Sequence, residues 1–202
     1  MPAKDAAKDE KQRKIITAIF FIIGLAALFI LYAIAMEKLP LTTDEGETLI
    51  EIAGKTLTGQ EFNNVVPQKL TRKQPVFVSI YQNKTRVACV GYSRSLFPLY
   101  ESVELLAKGI ELEPIDSYEI MVTVLGEYAP LNENEKIPAQ HGVLVRRDGV
   151  EGVVLPLTFT EQNLTDTEAL NLAAKKAGFT DFTWEGFEVF TFNAQIFQSK
   201  QG

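Results

Sequence analysis

Apolar residues are distributed along the chain in two ways: one unbroken run near the start, then short runs and stripes separated by polar turns. The run from Ile15 to Met36 holds 22 residues without a charge. At about 1.5 Å per residue a helix of that length reaches roughly 33 Å, enough for a hydrocarbon core of about 30 Å. Its apolar residues cover every face of the helix rather than one stripe, which predicts a transmembrane helix instead of a surface helix of a globular fold. A cleaved signal peptide has a shorter apolar core of about 7–15 residues and a small-x-small site. Here the run ends in Met36-Glu37-Lys38-Leu39-Pro40, so the segment is read as an uncleaved signal anchor.

Beyond it the pattern changes. Residues 37–46, with Pro40, Thr42, Thr43 and Gly46 among acids, read as a linker, and residues 47–198 read as one domain with a short tail at 199–202. Val76 to Tyr81 and Thr85 to Gly91 are β-rich runs around the polar turn Gln82-Asn83-Lys84, an antiparallel hairpin. In the second run Val87 and Cys89 alternate with Ala88 and Val90, so both faces are apolar and a central strand is expected. Pro98 to Ile110 carries Leu99, Val103, Leu106 and Ile110 on one helical stripe. Tyr118 to Gly126 reads as a strand. Gly142 to Arg147 and Val150 to Leu155 flank Asp148-Gly149, a strong hairpin signal, and Pro156 stops the second strand. Thr165-Asp166-Thr167-Glu168 has capping-box spacing and opens a helix closed by Gly178. Phe187 to Phe197 reads as one final aromatic strand. Hairpins interleaved with helices define an α+β fold, an antiparallel sheet with packed helices.

Charge orients the anchor. Lys4, Lys8, Lys11, Arg13 and Lys14 lie in residues 1–14, whereas Lys38 follows the run amid Glu37, Asp44, Glu45 and Glu47. The positive-inside rule keeps the N-terminus in the cytoplasm and displays the domain outside the cell membrane as a single-pass protein. The chain has 20 Lys+Arg and 26 Asp+Glu; without the tail's five bases and three acids the balance becomes 15 against 23, a net of -8. Such a surface argues against nucleic acid as a partner and leaves the membrane, a protein, or a small anionic ligand. One Cys and one His exclude a disulfide framework and a multi-histidine or cysteine-rich metal centre. No phosphate-binding glycine loop, nucleophile elbow or two-histidine zinc helix is present, so no cofactor is implied.

Cys89 has two readings. In the apolar run Val87 to Val90 it suits a small buried hydrophobe, the reading the pattern favours. As a thiolate it is instead a nucleophile, with His141 the single imidazole available as base. Ser93, Arg94 and Ser95, between a strand and a helix, are a candidate anion site, weighed against helix capping with a solvated arginine. Arg146-Arg147 reads as a solvated hairpin tip, and Glu111, Glu113, Asp116 and Glu119 as charged surface rather than a calcium loop. Asn83-Lys84-Thr85 and Asn163-Leu164-Thr165 match glycosylation sequons.

From about Gly46 to Phe197 the order of motifs resembles the AMMECR domain family. The matching stretches are Thr48 to Leu57, Pro75 to Ile80, Cys89-Val90-Gly91 with Pro98-Leu99-Tyr100, Ile120 to Leu125, His141 to Val145, Gly152 to Pro156, Lys175 to Gly178, and Phe192 to Phe197. The family's Leu-Arg-Gly-Cys-Ile-Gly signature corresponds here to Arg86-Val87-Ala88-Cys89-Val90-Gly91, so the motif arginine is lost. Its Asp-Pro-Arg-Phe-like stretch is replaced by Ile110 to Ile115. The resemblance implies an α+β fold around an antiparallel sheet, and its association with Memo-like and radical-SAM proteins implies a modification pathway. With the arginine lost, the expected role is a binding or scaffold module at the membrane. The alternative is a modification enzyme using Cys89 with Arg94 or His141.

Overall fold

The computed structural model describes residues 21–28, 40–111 and 118–199. The chain divides into two units, residues 1–40 and residues 41–202. In the first, residues 21–28 are helical and exposed. The rest of the expected membrane span, and the acids Glu113 and Asp116, lie outside the described residues. No helix among the described residues is long and apolar enough to cross a membrane.

The second unit starts earlier than the sequence pattern suggests. Helix α1 runs Thr43–Leu57 because Thr42 and Glu45 form a reciprocal capping box: the Thr42 hydroxyl accepts from the Glu45 N–H, and the Glu45 carboxylate accepts from the Thr42 N–H. Leu41 is already buried and exchanges two hydrogen bonds with the Gln195 side chain. The stretch expected as a linker therefore supplies the first turn of the domain.

A short 3-10 turn at Gln68–Thr71 precedes the hairpin of β1 (Val76–Gln82) and β2 (Thr85–Tyr92). Its turn residues Asn83 and Lys84 take φ of 49° and 64°, the left-handed conformation that matches strand twist. Helix α2 (Leu99–Lys108) follows, then β3 (Glu119–Leu125) and a two-residue β4 (Ala129–Pro130). The second hairpin, β5 (Gly142–Arg147) and β6 (Val150–Val154), closes on Asp148 and Gly149, both at positive φ. Pro156 ends β6 and also begins helix α3 (Pro156–Gln162), a helix the sequence pattern did not announce. Helix α4 (Asp166–Lys176) starts on the expected capping box of Thr165 and Glu168, and the chain ends with β7 (Glu188–Phe192) and β8 (Ala194–Gln198).

The strands form two antiparallel sheets, ordered β2-β1-β3-β8 and β4-β7-β5-β6. The aromatic run Phe187 to Phe197 is thus two strands, not one: it breaks at Asn193 and passes from one sheet to the other. Three apolar clusters follow from the alternation of each strand. Val76, Val78 and Ile80 of β1 and Val122 and Val124 of β3 pack with Leu49 and Ile52 of α1 and Leu99 and Val103 of α2. Val143, Val145 and Val154 pack with Ala169, Leu170 and Ala173 of α4. The opposite faces meet between the sheets, where Phe77, Leu125, Leu144, Val153, Leu155 and Phe192 share a cluster. The layers are therefore helix, sheet, sheet and helix.

Glycine permits two of these contacts. A side chain at Gly152 would collide with the backbone carbonyl of Ala173, so α4 can seat on β6 only because this position has no Cβ. Gly91 likewise lies beneath the Phe77 ring.

Candidate functional site

β2 is an edge strand of its sheet, and β6 is an edge strand of the other. The segment from β6 through α3 runs beside β2 in the opposite direction, and polar side chains join the two at both ends. At one end, the Ser93 hydroxyl donates to Glu151 Oε2 at 2.7 Å, and Arg94 donates to Glu151 Oε1 through Nε at 3.0 Å and Nη2 at 2.7 Å. Arg146 adds a bond to the same oxygen and reaches Glu188 at 3.5 Å. At the other end, Arg86 donates to the Thr158 hydroxyl at 3.1 Å and pairs with Glu161 at 3.4 Å, and the Tyr81 hydroxyl donates to Glu161 at 2.6 Å.

Cys89 lies between these two clasps. It is exposed, which corrects the expectation of a buried core cysteine, and its strand is not central. The physical reason is position: β2 is paired on one side only, so Cys89 has fewer covering neighbours than Ser79, its buried partner on the same face of the inner strand β1. The Ser79 hydroxyl, itself buried, donates to the Cys89 sulfur at 3.3 Å.

A bulge arranges the rest. Ile80 pairs with Ala88 but Tyr81 pairs with Arg86, so Val87 is the extra residue of β2. Without it, strand alternation would send Arg86 to the face of Ala88 and Val90, which packs on the helices. With it, Arg86 joins Ser79, Tyr81 and Cys89 on one face. The bulged residue is Val87, and Arg86, beside it in sequence, turns to the same face as the thiol.

The remaining basic group comes from α4. Lys176 is exposed, and its ammonium donates to the Val153 carbonyl at 3.0 Å. Burial pushes that ammonium below the ordinary lysine range; the Cys89 sulfur acts in the opposite sense and Arg86 adds to the lowering. Burial raises the Tyr81 phenol above its ordinary value, and Glu161 raises it further. Burial would raise Glu151 too, but the hydrogen bonds of Arg94, Ser93 and Arg146 outweigh it and hold its carboxyl at about 2.

Of the residues singled out from sequence, Ser93 and Arg94 come together on Glu151, Arg94 with its charge neutralised and Ser95 outside those bonds. His141 is half-buried and its Nδ1 is 3.0 Å from the Ala139 carbonyl, with no described bond to Cys89. Of the expected solvated tip, Arg147 is exposed and lies 3.7 Å from Asp148, with its guanidinium 5.5 and 5.3 Å from the Phe179 and Phe187 rings, whereas Arg146 is half-buried, held by Glu151 and 5.1 Å over the Phe190 ring. No cluster of potential metal ligands occurs among the described residues. Sequence reasoning missed Arg86, Thr158, Glu161 and Lys176. Pro156 was the available signal for α3, since proline favours the first helical position.

Two face-packed antiparallel sheets with a helical layer on either side, and a cysteine on the exposed edge of one, define an α+β domain of AMMECR type. The AMMECR1 family model matches residues 48–197, and the chain belongs to that family. Among its relatives, a Methanopyrus kandleri protein is 29% identical over 189 residues, covering 80% of this chain and 91% of the relative. A Methanosarcina barkeri protein is 26% identical over 189 residues, covering 80% and 93%. The crystal structure of an uncharacterized protein from Pyrococcus horikoshii shares the fold with a TM-score of 0.66, covering 79% of this chain and 94% of that one at 22% identity.

Proposed function

We propose that this AMMECR1-family domain is a ligand-binding module tethered to a membrane through residues 15–36, with the seam around Cys89 as its working surface. The observation that carries the reading is the exposed thiol held between two polar clasps, with Ser79, Tyr81 and Arg86 turned to the same face. The clasps fix the walls: Glu151 and Glu161 each accept from more than one donor, which limits the freedom of β6 and α3 against β2. A small molecule seated there meets a thiol between prearranged hydrogen-bonding groups, which lowers the ordering cost of binding.

The exposed thiol also favours a second reading, a thiol-dependent step in a modification pathway. Cys89 is then the nucleophile. Arg94 is held by Glu151, and His141 has no described bond to Cys89.

The tether rests on the uncharged run and on the basic residues before it. Protease added to intact cells should digest the domain if it is displayed outside; protection of the domain contradicts that orientation. For the site, thermal-shift screening of small metabolites against wild type and Cys89→Ala should yield compounds that stabilise only the wild type. A panel in which every hit stabilises both equally argues against Cys89 as the working centre.

A further inference from the structure

Charge is unevenly distributed along the domain. Between Glu61 and Glu101 the chain carries six bases and no acid, although residues 37–202 as a whole hold 15 Lys+Arg against 23 Asp+Glu. Of these bases, Arg86 and Arg94 pair with Glu161 and Glu151 along the seam. Lys69, Arg72 and Lys73 lie together on and just after the 3-10 turn, and the bonds around them fix where that turn sits. The Lys69 ammonium is 3.4 Å from the Glu45 carboxylate, which also accepts from the Thr42 N–H at the start of α1. The Arg72 Nε donates to the Lys69 carbonyl at 3.0 Å, and the Arg72 carbonyl accepts from the Leu99 N–H at 2.8 Å. The basic turn therefore joins two places: the entry of the chain into the domain at Leu41 and Thr42, and the loop that leads into α2. In that loop Leu96 is 59% exposed and Phe97 39%, with the Phe97 ring 6.4 Å from that of Tyr92. No other adjacent pair of large apolar side chains is exposed among the described residues of the domain.

We propose that this end of the domain is a docking surface for an anionic lipid bilayer, at which the exposed Lys73 meets headgroup phosphates and Leu96 and Phe97 enter the interface. The inference rests on the reading of residues 15–36 as a membrane tether and adds which face of the domain meets the lipid. Residues 37–40 are all that separate the uncharged run from Leu41, and fully extended that stretch reaches about 18 Å at most. A domain on so short a tether cannot present every face to the bilayer with equal ease, and the end that receives the chain is favoured. That end carries the basic turn, through the contact of Lys69 with Glu45. The remainder of the domain is strongly acidic and is repelled by an anionic surface, so charge and tether select the same face. Leucine and phenylalanine beside lysine and arginine suit the boundary between headgroups and acyl chains, where apolar side chains leave water while cations meet phosphate.

The full-length chain is reconstituted in vesicles containing anionic phospholipid, with brominated acyl chains as a fluorescence quencher. Its single tryptophan, Trp184, is replaced by phenylalanine, and tryptophan is introduced by Leu96→Trp or, as a reference, by Thr85→Trp at the exposed opposite end of β2. The Leu96→Trp chain should be quenched at least about twofold more than the Thr85→Trp chain. Adding Lys73→Glu, raising salt to about 0.5 M, or omitting anionic lipid should each reduce that difference. In the unaltered chain, the Leu96 and Phe97 amides should exchange hydrogen more slowly in anionic than in neutral vesicles, a readout that needs no variant. Equal quenching at both positions and no such protection, in a chain that still floats with the vesicles after an alkaline wash, overturn the docking surface while leaving the tether. A folded chain that the wash strips from the vesicles overturns the tether on which the inference rests.

Discussion

Arg86 donates to the Thr158 hydroxyl at 3.1 Å although the two residues are 72 positions apart, and this bond ties the edge of one sheet to the helix that follows the other. Thr158 is buried and Arg86 half-buried, so the bond is shielded from water. Hydrogen bonds to a charged donor contribute about 1.5–3 kcal/mol, with the upper end reserved for fully buried pairs. Arg86→Ala should therefore lower stability by about 1–2 kcal/mol, a Tm drop of about 2–8 °C for a unit of this size. Differential scanning calorimetry checks it, and an unchanged Tm means the clasp does not hold in solution.

Gly152→Ala should be more damaging than any alanine substitution on the exposed face of α4. The added methyl group meets the Ala173 backbone carbonyl, which cannot rotate away as a side chain can. Overpacking costs typically about 1–3 kcal/mol, and here α4 must lift from β6. A variant as stable as wild type contradicts the close seating of α4.

The N-terminal boundary is tested by Thr42→Ala. Loss of a threonine N-cap costs typically about 1 kcal/mol, and the same loss is expected for Thr165→Ala at α4. A neutral Thr42→Ala beside a destabilising Thr165→Ala indicates that α1 begins later than Thr43.

Glu151 sets the acid limit. Its carboxyl is held at about 2, below the ordinary value of 4.5, chiefly by donors from Arg94, Ser93 and Arg146 acting against burial. A depressed folded-state value means that the unfolded chain binds the proton first as pH falls. The stabilisation is complete above about pH 4.5 and disappears as pH drops toward about 2. Urea unfolding measured across that window should show a decline that Glu151→Gln reduces. A wild-type and variant difference that stays constant with pH contradicts the network.

The hairpins were legible because their turns carry their own chemistry: Asp148-Gly149 and Asn83-Lys84 take left-handed backbone whatever surrounds them. The capping box at Thr165 was legible for the same reason, since its bonds are local. The aromatic run ending at Phe197 was not, because the transfer from β7 to β8 is decided by which sheet each half pairs with. Cys89 was misplaced by its apolar neighbours: composition does not reveal whether a strand lies at an edge. The candidate site was legible only at Cys89, Ser93 and Arg94. Arg86 reaches the thiol's face through the Val87 bulge, and Glu161 and Lys176 arrive from helices more than seventy residues along the chain.

The most direct test of the central claim is the rate at which iodoacetamide alkylates Cys89 in the folded full-length protein, compared with the chain unfolded in urea. An edge-strand thiol open to solvent predicts a folded rate within about tenfold of the unfolded one. A folded rate lower by about a thousandfold, with reaction limited by global opening, contradicts the account and returns Cys89 to the core.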